Sequence, residues 1–339
     1  MRRQKWVILM AVLISIIGCS ILPSFSRNNS TQLPDPNHFT ATPTPFLPQA
    51  HSTDNLPTLT NTPSATVSPT ITPQTGMISL GLPRPEDQVN ILLLGSDWRP
   101  EAGFRTDVVL LLSLNPVQKT AALLSFPRDL YVYIPGFGYE RINTTQAKGG
   151  FDLTAETLLY NFDVPVDYYM ITNFYGFTHI IDALGGITVN AYYELYDRCD
   201  LPQAVDKMCY IPSGLNTMNG KTALWYVRSR SSTSDFDRTR RAQEVVYAIA
   251  KKMISLNAVS RAPELFNLFI NSVETNVPLD LVVTLMPLAA DILANPELIQ
   301  RYAITEDQTT PYIVPENGSW VLIPDFEAIA ETIRRAIYP

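Results

Sequence analysis

The stretch NILLLGSDWRPEAGFRTDVVLLLSLN, residues 90–115, joins two nearly continuous apolar runs through a charged connection. Runs this short, apolar at successive positions and bounded by turn signals, predict strands buried on both faces. TAALLSFPRDLYVYI, residues 120–134, repeats the pattern. The connection itself places Asp97, Arg99, Arg105 and Asp107 within about one loop's length. A charged hairpin that solvates itself accounts for two carboxylates and two guanidiniums there. A metal and phosphate site at strand ends accounts for them equally.

Outward from this stretch, periodicity alternates. FDLTAETLLYNF (151–162) follows a Gly-Gly pair and has helical spacing, VDYYMITNF (166–174) reads as a strand, YGFTHIIDALGG (175–186) as a helix ending in Gly, and ITVNAYY (187–193) as a strand. LNTMNGKTALWYVRSR (215–230) and DFDRTRRAQEVVYAIAKKMISL (235–256) predict two helices across a polar turn. Further helices are expected at 263–273, 280–293 and 325–337, and WVLIPD (320–325) as an edge strand. Such alternation implies an α/β layered fold with helices on both faces of a sheet. Residues 79–339 contain no second linker and no internal repeat, and read as one domain.

The N-terminal part differs. Residues 1–27 carry Arg2, Arg3, Lys5 and Arg27 without an acid, around an apolar run from Trp6 to Leu22. That run is near the minimum for a membrane span, and its preceding positive flank directs the rest of the chain out of the cytoplasm. Three readings remain open: an uncleaved anchor, a cleaved signal peptide, or a lipoprotein, since Ile16-Ile17-Gly18-Cys19 resembles a bacterial lipobox. All three place the bulk of the chain outside the cytoplasm. Residues 28–78 hold nine Pro and twelve Thr but no Lys or Glu; too little apolar surface is available to offset ordering, so a disordered, extended stalk is expected.

Beyond residue 27 the chain has 21 basic and 32 acidic residues, a net charge of −11, which argues against nucleic acid as a partner. Past Cys19 only Cys199 and Cys209 remain. In an oxidising compartment such a pair reads as one disulfide, with two reduced buried thiols as the alternative. Metal binding by the thiols is disfavoured, because the histidines, His38, His51 and His179, all lie elsewhere in the sequence.

Three polar clusters interrupt apolar elements: Asp97, Arg99, Arg105 and Asp107; then Arg128 and Asp129 with Arg141; then Arg228, Arg230, Asp235, Asp237, Arg238, Arg240 and Arg241. Five arginines within fourteen residues invert the charge of an otherwise acidic domain. Guanidinium grips phosphate oxygens bidentately and keeps its proton, and ligands of open α/β sheets sit beyond the carboxyl ends of strands. Aspartates beside such arginines suit Mg²⁺ shared with substrate phosphates. Structural salt bridges between the same residues are the competing reading.

The ordered set GSDWR…FRTD, SFPRDLYV, RIN…GG, DALGGITV, MNGKTALWYVRSR and DFDRTRRAQ resembles the LytR-CpsA-Psr family of bacterial cell-envelope proteins. The likeness is close over residues 88–250 and looser at WVLIPD. It implies an α-β-α fold with a central mixed sheet and an apolar pocket for a polyprenyl chain. It also implies an enzyme that moves a glycopolymer from a polyprenyl-pyrophosphate carrier to peptidoglycan or another envelope acceptor. Carried over by motif, Asp97 and Asp107 hold Mg²⁺ and act in catalysis with Arg105 and Arg128. Arg141, Arg228, Arg230, Arg238, Arg241 and Gln243 bind substrate. Two positions depart from the family pattern: Ala242 stands where a glutamine is usual, and Asp237 where a glycine is usual. Without a nearby histidine, the general base is expected to be a carboxylate, Asp97 or Asp107. A pyrophosphatase with water as acceptor, and a non-catalytic envelope binding or regulatory protein, are the rival readings.

Overall fold

The structure, a computed structural model, describes residues 78–97, 104–255 and 272–338. The anchor, nearly all of the stalk, Cys19, Arg99 and most of the 263–273 helix expectation lie outside the described residues. Three antiparallel strands open the domain: β1 (Val89–Ser96), β2 (Thr106–Asn115) and β3 (Thr120–Phe126). A hairpin of β4 (Tyr131–Ile134) and β5 (Gly138–Arg141) leads to helix α1 (Thr145–Phe162), strand β6 (Tyr168–Asn173), helix α2 (Phe174–Ala183) and strand β7 (Ile187–Ala191). Then come β8 (Leu195–Arg198), β9 (Met208–Ile211), β10 (Gly214–Met218), α3 (Gly220–Arg228) and α4 (Asp235–Ser255). The chain closes with β11 (Glu274–Thr275), α5 (Leu279–Ala294), β12 (Ile299–Ala303), β13 (Thr309–Ile313), β14 (Trp320–Pro324) and α6 (Phe326–Ile337).

The central sheet has the order β11-β6-β1-β2-β3-β12. β6 runs parallel to β1 and β12 parallel to β3, while the other pairs are antiparallel, so the sheet is mixed. Strand residues alternate between faces, and both faces of β1 are covered. Leu92 and Leu94 join a core with Leu158 and Phe162 of α1 and Ile329 and Ile333 of α6. Ile91 joins another with Leu285, Leu288 and Ile292 of α5. This double burial is why the runs are continuously apolar, and each fully buried Leu or Phe contributes about 1.5–3 kcal/mol. The result is the expected α-β-α layering.

A satellite core formed by Ile181 of α2, Val189 of β7, Met218 of β10, Tyr226 of α3 and Val245 of α4 stands beside the sheet. Here α2 and α3 approach closely. A Cβ at Gly220 would come within 2.4 Å of the Thr178 carbonyl oxygen, so only glycine fits. Cys199 and Cys209 form the expected disulfide across the β8–β9 hairpin.

Three local expectations need correction. Residues 215–218 form part of strand β10, paired with β7, rather than the start of a helix; Asn219 ends it and caps α3 by accepting from Thr222 N at 2.9 Å. Helix α1 starts before the Gly-Gly pair and bends there, with Gly150 at φ 66°. WVLIPD does form a strand, but β14 pairs with β13 in a separate ribbon, and β12 takes the edge of the sheet. Leu322 N donates to Asp129 O at 2.9 Å, which ties β14 beside the end of β3 instead.

Candidate active site

The β1–β2 connection is closed at its base by Asp97. Its backbone N donates to Arg105 O at 3.1 Å, and its Oδ1 accepts from Arg105 N at 2.8 Å. The register shifts at this point: Gly95 faces Val108 and Ser96 faces Thr106, which leaves Asp107 as the extra residue. A bulge re-aims the side chain it displaces, and Asp107 Oδ1 meets Arg128 Nη1 at 2.6 Å.

Arg128, one residue beyond β3 after Pro127, draws the clusters together. Its Nε lies 3.1 Å from Asp129 Oδ2 and 3.6 Å from Asp235 Oδ1. Asp235 begins α4 and pairs with Arg238 one turn on, Nη2 to Oδ2 at 2.9 Å; the same Nη2 reaches the Asp107 carbonyl at 3.1 Å. Arg141 approaches Asp129 at 3.4 Å. Residues far apart in sequence thus form one network at the ends of β1, β2 and β3. Burial works against the Arg128 cation, but Asp107, Asp129 and Asp235 outweigh it and raise its pKa. Burial lowers that of Arg238 despite Asp235, and raises that of Asp235 despite Arg238 and Arg128.

Two cavities meet at this network. A polar cleft of about 410 Å³ is bounded by Arg105, Arg128, Arg141, Asn143, Arg230, Thr233 and Trp320, among others. An apolar cavity of about 540 Å³ lies between the sheet and helices α2–α4, walled by side chains such as Leu93, Leu110, Phe174, Phe177, Leu224 and Val245. Arg105, Arg128 and Arg230 belong to both, forming a common lip, and Asp97, Asp107, Arg228 and Arg238 border the apolar side. The Arg228 guanidinium sits 4.2 Å over the Phe174 ring. Among the described residues, Arg105, Arg228 and Arg230 form no ion pair. Their cationic heads are available to an anion.

The salt-bridge reading therefore holds for Asp107, Asp129 and Asp235 with Arg128 and Arg238, and leaves three arginines over. Two expected substrate contacts lie elsewhere. Arg241 is 1% exposed and donates through Nε to Tyr226 O at 2.8 Å and through Nη2 to Ser229 O, which pins the loop between α3 and α4. Gln243 points at the sheet, with Nε2 donating to Ser125 Oγ at 2.5 Å and Tyr302 O at 2.8 Å. Both follow from the 3.6-residue period of α4, which turns Arg238 and Ala242 to the cavity and Arg241 and Gln243 away from it. Asp237 is also turned aside. It accepts from Ser234 Oγ at 3.0 Å and faces Arg240, so its extra charge is not spent on Arg238. Asn143, Thr233, Asp235 and Trp320 border the cleft without having been expected to. Asp235 had a signal, its place in the third charged cluster; the others had none beyond lying in or beside the motifs.

The fit to Mg²⁺ depends on the donors. Among the described residues, no group of three or more His, Cys, Asp or Glu could hold a metal. Asp97 and Asp107 border one cavity, and two carboxylates with substrate phosphates as the remaining ligands suit Mg²⁺. Asp97 forms no ion pair among the described residues, whereas Asp107 is shared with Arg128.

The LytR_cpsA_psr family model matches residues 53–336. The chain belongs to the LytR-CpsA-Psr family. It is 33% identical over 207 residues to the polyisoprenyl-teichoic acid–peptidoglycan teichoic acid transferase TagT of Bacillus subtilis (strain 168), covering 60% of this chain and 64% of that one. It is 30% identical over 196 residues to the regulatory protein MsrR of Staphylococcus aureus (strain COL), covering 57% of this chain and 58% of that one. The matched region thus spans a little under two thirds of these relatives. Among solved structures, the family protein YwtF (TagT) with bound octaprenyl pyrophosphate lipid matches with a TM-score of 0.53 and 25% identity, covering 75% of this chain and 92% of that one.

Proposed function

We propose that this LytR-CpsA-Psr protein transfers a glycopolymer from a polyprenyl-pyrophosphate carrier to peptidoglycan or another cell-envelope acceptor. One observation carries the reading: an apolar cavity and an arginine-lined cleft share the lip Arg105, Arg128 and Arg230. A lipid pyrophosphate is a ligand with those two parts in that order. The relative TagT is named as such a transferase, and its solved structure holds octaprenyl pyrophosphate.

In the reaction, an acceptor hydroxyl oxygen attacks the sugar-linked phosphorus. A new P–O bond forms, the bond to the bridging oxygen breaks, and polyprenyl phosphate leaves with that electron pair. Little covalent work falls to the protein, so positioning and charge neutralisation decide the rate. Arg105, Arg230 and Arg228 grip phosphate oxygens, while Arg128 and Arg238, braced by Asp235, hold positive charge where the leaving group gains negative charge. The hydroxyl proton passes to a carboxylate, Asp97 or Asp107; of the two, Asp97 forms no ion pair among the described residues, whereas Asp107 is held by Arg128. Mg²⁺ held by Asp97 and Asp107 would neutralise further charge on the pyrophosphate. A membrane tether through residues 6–22, or a lipid on Cys19, would keep the domain outside the cytoplasm and beside its lipid substrate.

A transfer assay with a polyprenyl-pyrophosphate-linked saccharide tests this. Asp97→Ala is expected to lower turnover by about 10²–10³-fold in a folded protein, and EDTA to abolish it. Arg228→Ala is expected to weaken binding only several-fold, since other arginines remain. Full activity of Asp97→Ala contradicts the site. Release of the glycan phosphate to water without acceptor favours a pyrophosphatase, and no turnover with intact binding favours a regulatory protein.

A further inference from the structure

Helices α5 and α6 cover the sheet from opposite sides, and their outward faces differ. α6 turns Glu331, Arg334 and Arg335 to solvent, paired with one another. A helix that packs on a core by one stripe is expected to look like that. α5, LDLVVTLMPLAADILA, does not. Its inward residues Leu285, Leu288 and Ile292 pack on the sheet, yet Leu279, Val282 and Val283 are 57%, 41% and 58% exposed. Met286, partly exposed, continues that face at helical spacing. No charged residue stands between Asp280 and Asp291, and Lys119 pairs with Asp291 at 3.0 Å. Aliphatic residues grouped in this way on a surface mark a contact site.

The place of α5 in the fold says what it contacts. β11, just before it, pairs with β6 at Met170 and Ile171, and β12, after it, begins opposite Ala121 of β3. α5 therefore crosses the sheet at the strand ends remote from the arginines, against Ile91 and Leu114. Leu93 and Met170 pack on this cluster and also line the apolar cavity. The cavity thus runs from the arginine lip toward α5. The chain enters the domain at the α5 end as well. Arg84 Nη1 donates to Asp167 Oδ1 at 2.8 Å, directly before β6, and Asp167 Oδ2 accepts from Asn90 N at 2.8 Å, at the start of β1. Ahead of that entry in the sequence come the stalk and the apolar run 6–22, the expected membrane tether.

We propose that the outward face of α5, formed by Leu279, Val282, Val283 and Met286, inserts into the bilayer surface beside the tail end of the cavity. This rests on the reading of the donor as a polyprenyl lipid, whose hydrocarbon is insoluble in water and is held in a bilayer. Docking there lets the chain pass from membrane to cavity without exposure to water. An apolar helix face settles about 5–10 Å into the boundary between headgroups and acyl chains. With Asp280 and Asp291 as its charges, α5 docks by burial of apolar surface and not by attraction to anionic headgroups, so docking survives added salt.

The test reconstitutes the full chain in vesicles of zwitterionic phospholipid that contain a photoactivatable group on the acyl chain. After illumination, labelled peptides are mapped by mass spectrometry. Label is expected on residues 279–286 and not on the exposed face of α6, at low and high salt alike. In the double variant Val282→Glu/Val283→Glu it should fall at least about tenfold. Transfer from a bilayer-borne donor should fall with it, while transfer from a short-prenyl donor dispersed in water is unchanged. Label on α5 no stronger than on α6 overturns the docking, and the wild-type pattern alone decides this if the variant does not fold. So does a dimer in detergent that the double variant dissociates without any loss of label, which would assign the face to a second copy. Labelling is read without turnover. Absence of transfer with both donors therefore overturns the transferase reading, and absence of label overturns the docking.

Discussion

At the lip, Arg128 answers to three carboxylates, Asp107, Asp129 and Asp235, each within 3.6 Å. On the cavity side, Leu93, Phe177 and Val245 contribute shape and apolar surface from three different elements. The cleft is built from few specific partners and the cavity from many interchangeable ones. Loss of one group should therefore be severe in the first and mild in the second, where only loss of volume matters.

Arg128→Ala should show the largest effect on stability. The side chain is 16% exposed, and its removal leaves Asp107 and Asp129, and in part Asp235, without their shared cation. Breaking a buried pair from one side costs about 3–5 kcal/mol, and partial exposure places this case near the lower end. Denaturant titration measures it; a loss below about 1 kcal/mol would mean that the network is no more than a surface feature.

The cavity should respond to filling rather than to truncation. Ala242 is 5% exposed and lines it. Ala242→Phe is expected to weaken polyprenyl pyrophosphate roughly tenfold or more, the equivalent of about 1.4 kcal/mol, while binding of inorganic pyrophosphate is unchanged. Equal effects on both ligands would erase the distinction between the two sides.

A smaller effect distinguishes charge held in the cleft from charge held in water. Burial raises the pKa of the Asp235 carboxyl, despite Arg238 and Arg128. Its folded value then exceeds its unfolded value, so the folded state binds the extra proton, and this contribution to stability is lost as pH rises through the raised value. Comparing denaturant midpoints of the wild type and Asp235→Asn across the acid range should show that slope in the wild type and not in the variant. An opposite slope would mean that the arginines, not burial, dominate at Asp235.

The contrast also explains what could be read from the sequence. Asp97, Arg105, Asp107 and Arg128 were legible because charges that interrupt doubly buried strands have few structural reasons to be there. The layered fold was legible for the same reason, in the continuous apolar runs of β1, β2 and β3. Leu93 and Phe177 were not separable from the core, since a lipid cavity and a core select the same residue types. Arg241 and Gln243 were misplaced because composition does not say which face of α4 meets the ligand, and one residue of rotation decides it. WVLIPD showed a strand but not its partner, which a hydrogen bond from Leu322 to Asp129 selects. Trp320 gave no signal as a cleft residue, because its place depends on that long-range pairing.

The central claim is that one ligand spans both sides of the lip. Titration of the full chain with inorganic pyrophosphate, with a polyprenyl alcohol and with polyprenyl pyrophosphate tests it most directly. The joined ligand is expected to bind at least about a hundredfold more tightly than either half, because linked parts bind at high effective concentration. Arg230→Ala should weaken pyrophosphate and the joined ligand but not the alcohol. If inorganic pyrophosphate binds as tightly as the lipid-linked form, the apolar cavity plays no part in recognition, and the account of the site is wrong.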